Sequence, residues 1–333
     1  MQIRYDVLTI GNAIVDVLAR VGDDFLRREG LTKGIMHLTE WDKVEYLYRA
    51  MPQDKRKVSG GSCANTAAGV ASLGGRAAFV GKVADDEPGD FFAEDLRRGG
   101  TSFKTPPLEH GSATARSMIL IAPDGERTMN TYLGACHELT VADIDEDEIG
   151  AATITFMEGF LWDPPEAKRA FVQAAEFAHK HGRSAAVTLS DAYCVDRFRG
   201  EFLHLLRAGT IDMLLANLAE LKSLYQTDDL EAAIGQVSRD CRLAAITMGA
   251  RGAMTIKDGE KVWVPVFPVE KVEDATGAGD LFAAGFLLGV ARGQEMEAAL
   301  KLGCLCASEV ISHIGARPEA NLKALAARHG LAV

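Results

Sequence analysis

A short segment of small residues that ends in a carboxylate is the strongest chemical signal in the sequence. Asp274-Ala-Thr-Gly-Ala-Gly-Asp280 runs directly into the apolar stretch LFAAGFLLGV, which predicts a helix. Because Gly277, Ala278 and Gly279 are small, backbone N–H groups at this helix start can approach an anion closely, and the helix dipole favours negative charge there. Asp280 would lie beside that anion, where a carboxylate can position and deprotonate a hydroxyl during phosphoryl transfer. The alternative is that Asp280 only stabilises the helix N-terminus and that the glycines only form a turn.

A second glycine cluster, Ser59-Gly60-Gly61-Ser62, precedes an Ala-rich segment. Gly60 and Gly61 permit backbone conformations that other residues disfavour, which suits a hinge, a close approach to a ligand or a plain helix start capped by a serine. Gly60 to Ala64 also approximates the GxSxG nucleophile elbow of serine hydrolases. An elbow serine follows a buried strand, whereas residues 53–57 are polar and predict a loop, so a hydrolase is disfavoured.

Two polar segments follow predicted strands and would lie at the carboxyl edge of a parallel sheet, where ligands of open α/β sheets bind. In Asn217-Leu-Ala-Glu220 the amide and the carboxylate can organise hydrated Mg²⁺ near phosphates, although the same spacing forms a helix capping box. Thr247-Met-Gly-Ala-Arg-Gly252 supplies a glycine loop, or only a turn, at that edge. A Walker motif and a strand-linked GxGxxG are absent, which excludes the common nucleotide-binding loops.

Metal and disulfide chemistry have little support in the sequence. The acidic run Asp85-Asp86-Glu87 is more typical of a solvated loop and an acidic helix start than of a metal site. His179 and His181 are the only closely spaced pair among eight histidines, which disfavours a zinc enzyme. The six cysteines form no CxxC pair, so we expect reduced thiols instead of a disulfide framework or a structural zinc site.

The net charge limits the classes of partner. The chain has 36 Lys and Arg against 47 Asp and Glu, which gives a net charge of −11, whereas nucleic acids and anionic membranes attract basic surfaces. The longest apolar run, Leu281 to Ala291, is too short to span a bilayer, and the N-terminal residues lack the pattern of a signal peptide. We therefore expect a cytoplasmic protein that binds a small molecule and neither nucleic acid nor membrane.

The elements that must position these residues alternate regularly. Short apolar, β-branched runs are separated by longer segments of helical period, which predicts an α/β fold with a mostly parallel sheet flanked by helices. The predicted strands are 6–11, 77–83, 153–157, 185–189, 213–216 and 243–248. The predicted helices are 62–73, 91–98, 165–181, 230–240, 279–292, 295–312 and one near 321–328.

Residues 14–38 and 112–134 break this rhythm because apolar and polar residues alternate within them. Such alternation suits strands that have one face in water. The sequence Pro123-Asp124-Gly125 predicts a turn between two of these strands. We therefore predict a small β-rich lid beside the main sheet, formed by residues of about 12–40 and 112–134.

Several motifs that are weak alone occur in a specific order along nearly the whole chain. They are Gly11, Asn12 and Asp16, GGxxxN from Gly60 to Asn65, GxVxDDxxG from Gly81 to Gly89, NxxE, TxGxxG and DxxGAGD. In this combination the sequence resembles the ribokinase-like (PfkB) family of carbohydrate and nucleoside kinases. The resemblance implies a single α/β kinase domain over residues 1–333 with a discontinuous β-rich lid, and it implies ATP and Mg²⁺ as cofactors.

Within this family the chain is most similar to the adenosine kinase subgroup, for example in Glu158-Gly-Phe-Leu161 and in Leu189-Ser190 followed by Tyr193. The resemblance implies that Asp16 and Asn65 hold sugar hydroxyls. The other residues that it implies for substrate binding are Gly60 and Gly61, through their backbone, and Asn12, Leu38, Leu161 and Tyr193, as the lining of a nucleoside pocket.

On the phosphate side, the resemblance implies that Arg127 is a lid arginine that reaches phosphate and that Asp280 is the catalytic base. The remaining implied residues are Asn217 and Glu220, which would hold Mg²⁺ largely through water, Thr247, Gly249 and Gly252 along ATP, and Gly277, Ala278 and Gly279 in an anion hole. Two positions depart from the family pattern. Ala275 replaces a threonine that contacts phosphate or a monovalent cation such as K⁺, and Leu161 stands where adenosine kinases often have an aromatic residue.

Chemistry and resemblance together predict an ATP-dependent kinase that phosphorylates the 5′-hydroxyl of a purine nucleoside, adenosine, in purine salvage, as a monomer or homodimer. A sugar kinase of the same family that acts on ribose, fructose or a keto-sugar acid is the alternative. A non-catalytic nucleoside-binding or sugar-binding protein is a further alternative, which Asp280 and the adjacent GAG segment disfavour because binding alone needs no base.

Overall fold

The computed structural model describes all residues from Met1 to Val333, which form 14 strands and 12 α-helices. The strands are β1 (Tyr5–Ile10), β2 (Ile14–Arg20), β3 (Met36–Leu38), β4 (Arg56–Gly60), β5 (Ala77–Val80), β6 (Thr101–Phe103), β7 (Ala115–Ile121), β8 (Arg127–Tyr132), β9 (Ala152–Glu158), β10 (Ser184–Thr188), β11 (Met213–Asn217), β12 (Leu243–Thr247), β13 (Ala253–Lys257) and β14 (Glu260–Val264). The helices are α1 (Asp23–Arg28), α2 (Trp41–Ala50), α3 (Ser62–Ser72), α4 (Glu87–Arg98), α5 (Glu146–Gly150), α6 (Pro165–Lys180), α7 (Ala192–Arg207), α8 (Leu218–Tyr225), α9 (Leu230–Asp240), α10 (Ala278–Ala291), α11 (Met296–Val310) and α12 (Leu322–Arg328).

The large sheet has nine strands in the order β14-β13-β12-β11-β10-β9-β1-β5-β6. The strands from β12 to β6 are parallel to their neighbours, whereas β13 and β14 are antiparallel additions at one edge. All six strands that the sequence predicts are confirmed in this sheet. They could be predicted because strands buried on both faces consist of nearly continuous apolar residues.

Helices cover both faces of the large sheet. Helices α3, α10, α11 and α12 pack in one buried cluster with Val7, and helices α6 to α9 pack in another with Leu8 and Ile10. Alternate residues of β1 therefore face opposite layers, as the pleat of a strand requires. The seven predicted helices are confirmed, and the acidic run before α4 has the structural role that the sequence favoured, since Asp86 caps α4 through the N–H of Gly89.

A second sheet has five strands in the order β3-β8-β7-β2-β4. Four of these strands lie in the two segments that the sequence predicts to be β-rich. The prediction was incomplete, because the fifth strand, β4, begins at Arg56, in residues predicted to be a polar loop. This strand is at the edge of the sheet, and the N–H and carbonyl of Ser59 pair with the side chains of Asp95 and Arg317 and not with a further strand. Because most of its side chains are polar, β4 lacks an apolar pattern.

Helix α2, which the sequence did not predict, covers one face of this small sheet. Val44 and Leu47 of α2 are buried there. The guanidinium group of Arg116 on β7 lies over the rings of Trp41 and Tyr48 and forms an ion pair with Glu45. None of the helices of the protein is both long and apolar enough to cross a membrane.

Candidate active site

Two cavities meet at the carboxyl ends of the central strands of the large sheet. Cavity A, of about 420 Å³, lies between the two sheets, and its wall includes Asn12, Asp16 and Gly61. Cavity B, of about 220 Å³, lies beyond the ends of β10, β11 and β12. The residues that line both cavities are Ser62, Phe160 and Asp280. The candidate base therefore stands at the junction of two spaces, each of which could hold a ligand.

The Asp280 side chain is fixed by two residues from the first turn of α3. Its Oδ1 accepts a hydrogen bond from the Ser62 hydroxyl at 2.6 Å, and its Oδ2 accepts one from Nδ2 of Asn65 at 2.9 Å. Burial raises the pKa of Asp280 above its ordinary value, while these hydrogen bonds and the charge of Arg317 act in the opposite direction. The sequence predicts that Asn65 holds sugar hydroxyls. In the structure Asn65 lines cavity A and also donates a hydrogen bond to the proposed base, Asp280.

The start of α10 has the geometry of an anion site. Gly277 is the N-cap residue, it has a φ of +81°, and no side chain caps the helix. A Cβ at this position would meet Ala316, so only glycine fits between the two segments. Backbone N–H groups at an uncapped helix start attract negative charge. Ala278 and Gly279 form the first turn, and Gly279 lines cavity B beside Asp280.

The predicted sugar ligands lie together on one side of cavity A. Asp16 is on β2, and a Cβ at Gly60 of the neighbouring strand β4 would meet its carboxylate. Gly61 has a φ of +97° and faces the backbone carbonyl of Asn12. Burial raises the pKa of Asp16 to about 7, against the nearby positive charges of Arg127 and Arg317. The carboxylate of Asp16 is thus an acceptor inside the wall of cavity A.

One predicted pocket residue is wrong by a single position. Leu38 and Tyr193 line cavity A and are exposed to it, but Leu161 is 0% exposed and belongs to the buried core beneath the sheet edge. The neighbouring Phe160 lines both cavities and is 42% exposed. Residues Gly159–Trp162 form a single 3₁₀ turn, which directs consecutive side chains to different sides. An aromatic side chain thus lines cavity A at Phe160, next to the position predicted from the sequence.

Asn217 and Glu220 form the helix capping box that their spacing allows, and their role towards Mg²⁺ stays a prediction. In the capping box the Glu220 N–H donates to Oδ1 of Asn217 at 2.9 Å and the Asn217 N–H donates to Oε2 of Glu220 at 3.0 Å. In addition, Nδ2 of Asn217 donates to Oε1 of Glu220 at 2.5 Å. Both residues also line cavity B, where burial raises the pKa of Glu220 to about 7.

The side-chain oxygens in cavity B supply only some of the ligands that a hydrated cation needs. Carboxylate and amide oxygens suit Mg²⁺, but the structure has no group of three metal-ligating His, Cys, Asp or Glu side chains. A cation at Asn217 and Glu220 would therefore take most of its ligands from water and phosphate. Thr247 lines the same cavity. Gly249 and Gly252 lie in the turn that follows, outside the lining of both cavities, and a Cβ at Gly252 would meet the carbonyl of Val264.

Arg127 joins the small sheet to the loop before α10. Its guanidinium group forms an ion pair with Asp274, and the two side chains are only 9% and 8% exposed. Asp274 also accepts hydrogen bonds from the N–H groups of Thr276 and Gly315, each at 2.9 Å. Arg127 lies outside the lining of both cavities, so the structure places it at the loop before α10, where it is paired with the carboxylate of Asp274.

Two residues at the site were not predicted to have a role. Glu158 ends β9 at the carboxyl edge of the sheet, a position that could have identified it, and it lines cavity A. Arg317 lies in the loop after α11, where no pattern identifies it. Its guanidinium group donates to the carbonyl of Ser59 at 2.6 Å and to the Ser59 hydroxyl at 2.9 Å. Burial lowers the pKa of Arg317 to about 10, and the charges of Asp16, Asp95 and Asp280 oppose this effect.

Comparison with known proteins gives consistent matches over the whole fold. The model of the family described as pfkB family carbohydrate kinase matches residues 40–323. The crystal structure of adenosine kinase from Sinorhizobium meliloti is 51% identical, has a TM-score of 0.90, and is matched over 98% of this chain and 99% of that chain. A probable sugar kinase from Rhizobium etli CFN 42 is 49% identical, with a TM-score of 0.92 and coverage of 99% and 100%. A 5-dehydro-2-deoxygluconokinase from Geobacillus thermodenitrificans is 28% identical over 77% of this chain and 79% of its own length.

Proposed function

The chain belongs to the pfkB family of carbohydrate kinases, and on that premise we propose that it transfers the γ-phosphate of ATP to the 5′-hydroxyl of adenosine. The protein is a phosphotransferase that uses an alcohol group as acceptor. The finer assignment, to a purine nucleoside, depends on the chemistry of cavity A and on the 51% identity to an adenosine kinase.

The observation that carries the proposal is the position of Asp280 between the two cavities. Phosphoryl transfer requires an acceptor hydroxyl and a donor phosphate to meet in line at one point. Cavity A contains the acceptors and apolar groups expected for a nucleoside, and cavity B contains the glycine-rich helix start and the capping-box carboxylate expected for phosphates. Asp280 reaches both spaces and can take the proton of a hydroxyl that extends from A towards B.

Other groups of this chain support the same step. The hydrogen bonds from Ser62 and Asn65 hold the Asp280 carboxylate in one orientation before substrate arrives, so little reorganisation is needed. The Ala278 N–H donates to the carbonyl of Ala275 at 3.3 Å, and the N–H groups of Gly279 and Asp280 that follow it would stabilise the charge that develops on the transferred phosphoryl group. Mg²⁺, when bound near Asn217 and Glu220, would neutralise part of the phosphate charge.

The small sheet is proposed to act as a lid over cavity A. Its strands contribute Ser117, Ile119, Met129 and Thr131 to the wall of this cavity. A cover that excludes water strengthens the electrostatic interactions inside and limits loss of the phosphoryl group to water. Arg127 is carried on the same sheet, and we propose that it exchanges Asp274 for a phosphate when ATP is bound.

The lining of cavity A favours a nucleoside over a free sugar. Leu38, Phe160 and Tyr193 present apolar or aromatic surface, which matches the faces of a purine ring but not the hydroxyls of a hexose. A sugar kinase remains the second candidate, because the 49% identical structure is described as a probable sugar kinase. The acceptors Asn12 and Asp16 would serve a free sugar equally well.

A coupled assay of ADP release over a panel of acceptors tests the proposal. We expect kcat/KM for adenosine to exceed that for ribose, fructose and 5-dehydro-2-deoxygluconate by about 10² or more, since each 1.4 kcal/mol of aromatic contact contributes about tenfold. The product should carry phosphate on the 5′-oxygen, as read by ³¹P–¹H NMR. Equal or greater efficiency with a free sugar would support the second candidate, and the absence of ADP release with every acceptor would support a binding protein.

A further inference from the structure

The carboxylate of Glu158 receives three hydrogen bonds in the floor of cavity A. Its Oε1 accepts the backbone N–H of Asn12 at 3.0 Å and Nδ2 of Asn12 at 2.6 Å, and its Oε2 accepts the backbone N–H of Cys63 at 2.8 Å. Glu158 is 1% exposed, and a Cβ at Gly11 would meet its carboxylate. Glu158 therefore links the end of β9 to the segment after β1 and to the first turn of α3.

This arrangement fixes the orientation of the Asn12 amide. An amide has two donors on its nitrogen and only acceptors on its oxygen, so a carboxylate can receive the nitrogen but repels the oxygen. The backbone N–H groups of Asn12 and Cys63 donate to the two oxygens of Glu158 and so favour its ionised form, and an ionised carboxylate has no donor to offer. The reversed amide would place oxygen against oxygen in a buried site, where an unpaired polar contact is costly.

The oxygen of the same amide has no partner in the protein. Asn12 is 3% exposed and lines cavity A, and its Oδ1 is buried without a hydrogen-bond partner. Buried polar atoms are normally paired, and an exception at the wall of a ligand cavity indicates an atom reserved for the ligand. A purely structural role would need only the backbone N–H groups that Glu158 receives and would not explain the additional 2.6 Å bond to the side chain.

We infer that Glu158 is a positioning residue that turns the carbonyl oxygen of Asn12 towards cavity A, so that the site selects acceptor substrates with a hydrogen-bond donor at that point. The substrate group opposite Asn12 is a hydroxyl or an amino group. This inference rests on the proposed function only in placing the phosphoryl acceptor in cavity A. It adds to that function a specificity rule, namely that an analogue without this donor leaves a buried oxygen unpaired.

The test measures kcat/KM for adenosine and for three analogues that each lack one donor: 2′-deoxyadenosine, 3′-deoxyadenosine and purine riboside, which has no 6-amino group. We expect the wild type to discriminate against at least one of them by about 10- to 100-fold, through KM, because an unpaired buried acceptor costs about 1–3 kcal/mol. Asn12→Ala and Glu158→Ala should both reduce that same discrimination to less than about threefold and leave the other two unchanged.

Thr9→Val is the matched control. Thr9 is buried on β1 and donates through Oγ1 to the carbonyl of Cys63 at 3.0 Å. The variant therefore loses a hydrogen bond between β1 and α3, close to Glu158, at a residue that does not line cavity A. It should lower stability and leave the discrimination intact. If Glu158→Ala does not fold, Glu158→Gln replaces it, since an amide cannot accept from both backbone donors and should weaken the same discrimination.

Three results would overturn the inference. The first is that Asn12→Ala discriminates between adenosine and the analogue as strongly as the wild type does. The second is that the Asn12 and Glu158 variants affect different analogues, and the third is that Thr9→Val loses the discrimination. If the wild type accepts a sugar but no nucleoside, the proposed function fails on its own. The same variants are then compared on the singly deoxygenated forms of that sugar, where the same three results would still overturn the role of Glu158.

Discussion

The hydroxyl of Ser62 donates a 2.6 Å hydrogen bond to Oδ1 of Asp280, across 218 positions of sequence. The two residues belong to the first turns of α3 and α10, so two helix starts converge on one carboxylate. The hydroxyl of Thr66, one turn further along α3, also donates to the backbone carbonyl of Asp280 at 3.1 Å. The position of the proposed base is therefore determined by packing between these helices and not by the glycine-rich loop alone.

Replacement of Asp280 by Asn should remove the base while keeping the geometry. The amide oxygen can accept from Asn65 and its nitrogen can donate to Ser62, whose hydroxyl is able to rotate. We expect kcat with adenosine to fall by about 10²–10⁴-fold, the range for loss of a positioned general base, with KM nearly unchanged. Steady-state kinetics check this, and normal turnover would reduce Asp280 to a helix-stabilising residue.

Ser62→Ala should move the acid limb of the pH profile of kcat/KM to higher pH. The hydrogen bond from Ser62 favours the ionised carboxylate and lowers the pKa of Asp280, so its loss raises that pKa and leaves less base at any pH below it. Ser223→Ala is the matched control, because Ser223 donates to Asp196 at the same 2.6 Å on the exposed surface. An unchanged acid limb in Ser62→Ala would contradict the role given to this bond.

The KM for adenosine should depend on the protonation of Asp16. Burial raises the pKa of Asp16 to about 7, and the ionised form is the better acceptor for two hydroxyls of a ribose, because protonation turns one of its oxygens into a donor and removes the charge. Below pH 7 the ionised fraction falls tenfold per pH unit, so KM should rise by up to the same factor, and above pH 7 it should level off. Asp16→Asn should raise KM at pH 8 and flatten the profile. A dependence that persists in this variant would assign the titration to Glu158, whose pKa burial also raises to about 7.

Phe160 and Tyr193 should determine the preference for adenosine over ribose. Both rings line cavity A, and loss of one aromatic contact with a purine costs about 1 kcal/mol or more, or roughly fivefold. Phe160→Ala and Tyr193→Ala should each narrow the ratio of kcat/KM values for the two substrates. Leu161→Ala is the neighbouring control, since this core residue should affect the melting temperature and not the ratio. A ratio that no ring variant changes would favour the sugar kinase.

The pair formed by Arg127 and Asp274 should contribute to the stability of the unliganded protein. Removal of one member of a buried ion pair leaves the other charge unpaired, which costs about 3–5 kcal/mol. Arg127→Ala and Asp274→Asn should each lower the free energy of unfolding measured in urea by an amount of this order. The exposed pair of Arg169 and Glu166 provides the control, and Arg169→Ala should have little effect.

The large sheet could be predicted from the sequence because its central strands are buried on both faces and consist of apolar residues. The same argument fails at the edges of the large sheet and in the small sheet, where β4 is polar. Helix α2 packs on the small sheet through contacts of its rings with Arg116, which its own sequence pattern does not indicate. These elements are stabilised by partners that are distant in sequence. Local pattern does not describe such partners.

The site shows the same division. The segment that ends in Asp280 could be found because its glycines, its carboxylate and the helix that follows are contiguous. The choice between Leu161 and Phe160 needs the direction of each side chain in a 3₁₀ turn, which spacing alone does not provide. Arg317 could not be found from pattern, because its partner Ser59 lies 258 positions away.

The pairing of β2 with β7 has a consequence for synthesis of the chain. These strands are parallel, and Ile14 on one is opposite Ala115 on the other, so β2 leaves the ribosome about a hundred residues before this partner. Until then β2 can pair on one edge with β4, and its other edge presents unpaired backbone groups and apolar residues. Such an edge is a template for aggregation. We therefore expect chaperone protection of this edge to matter between the emergence of β2 and the emergence of β7.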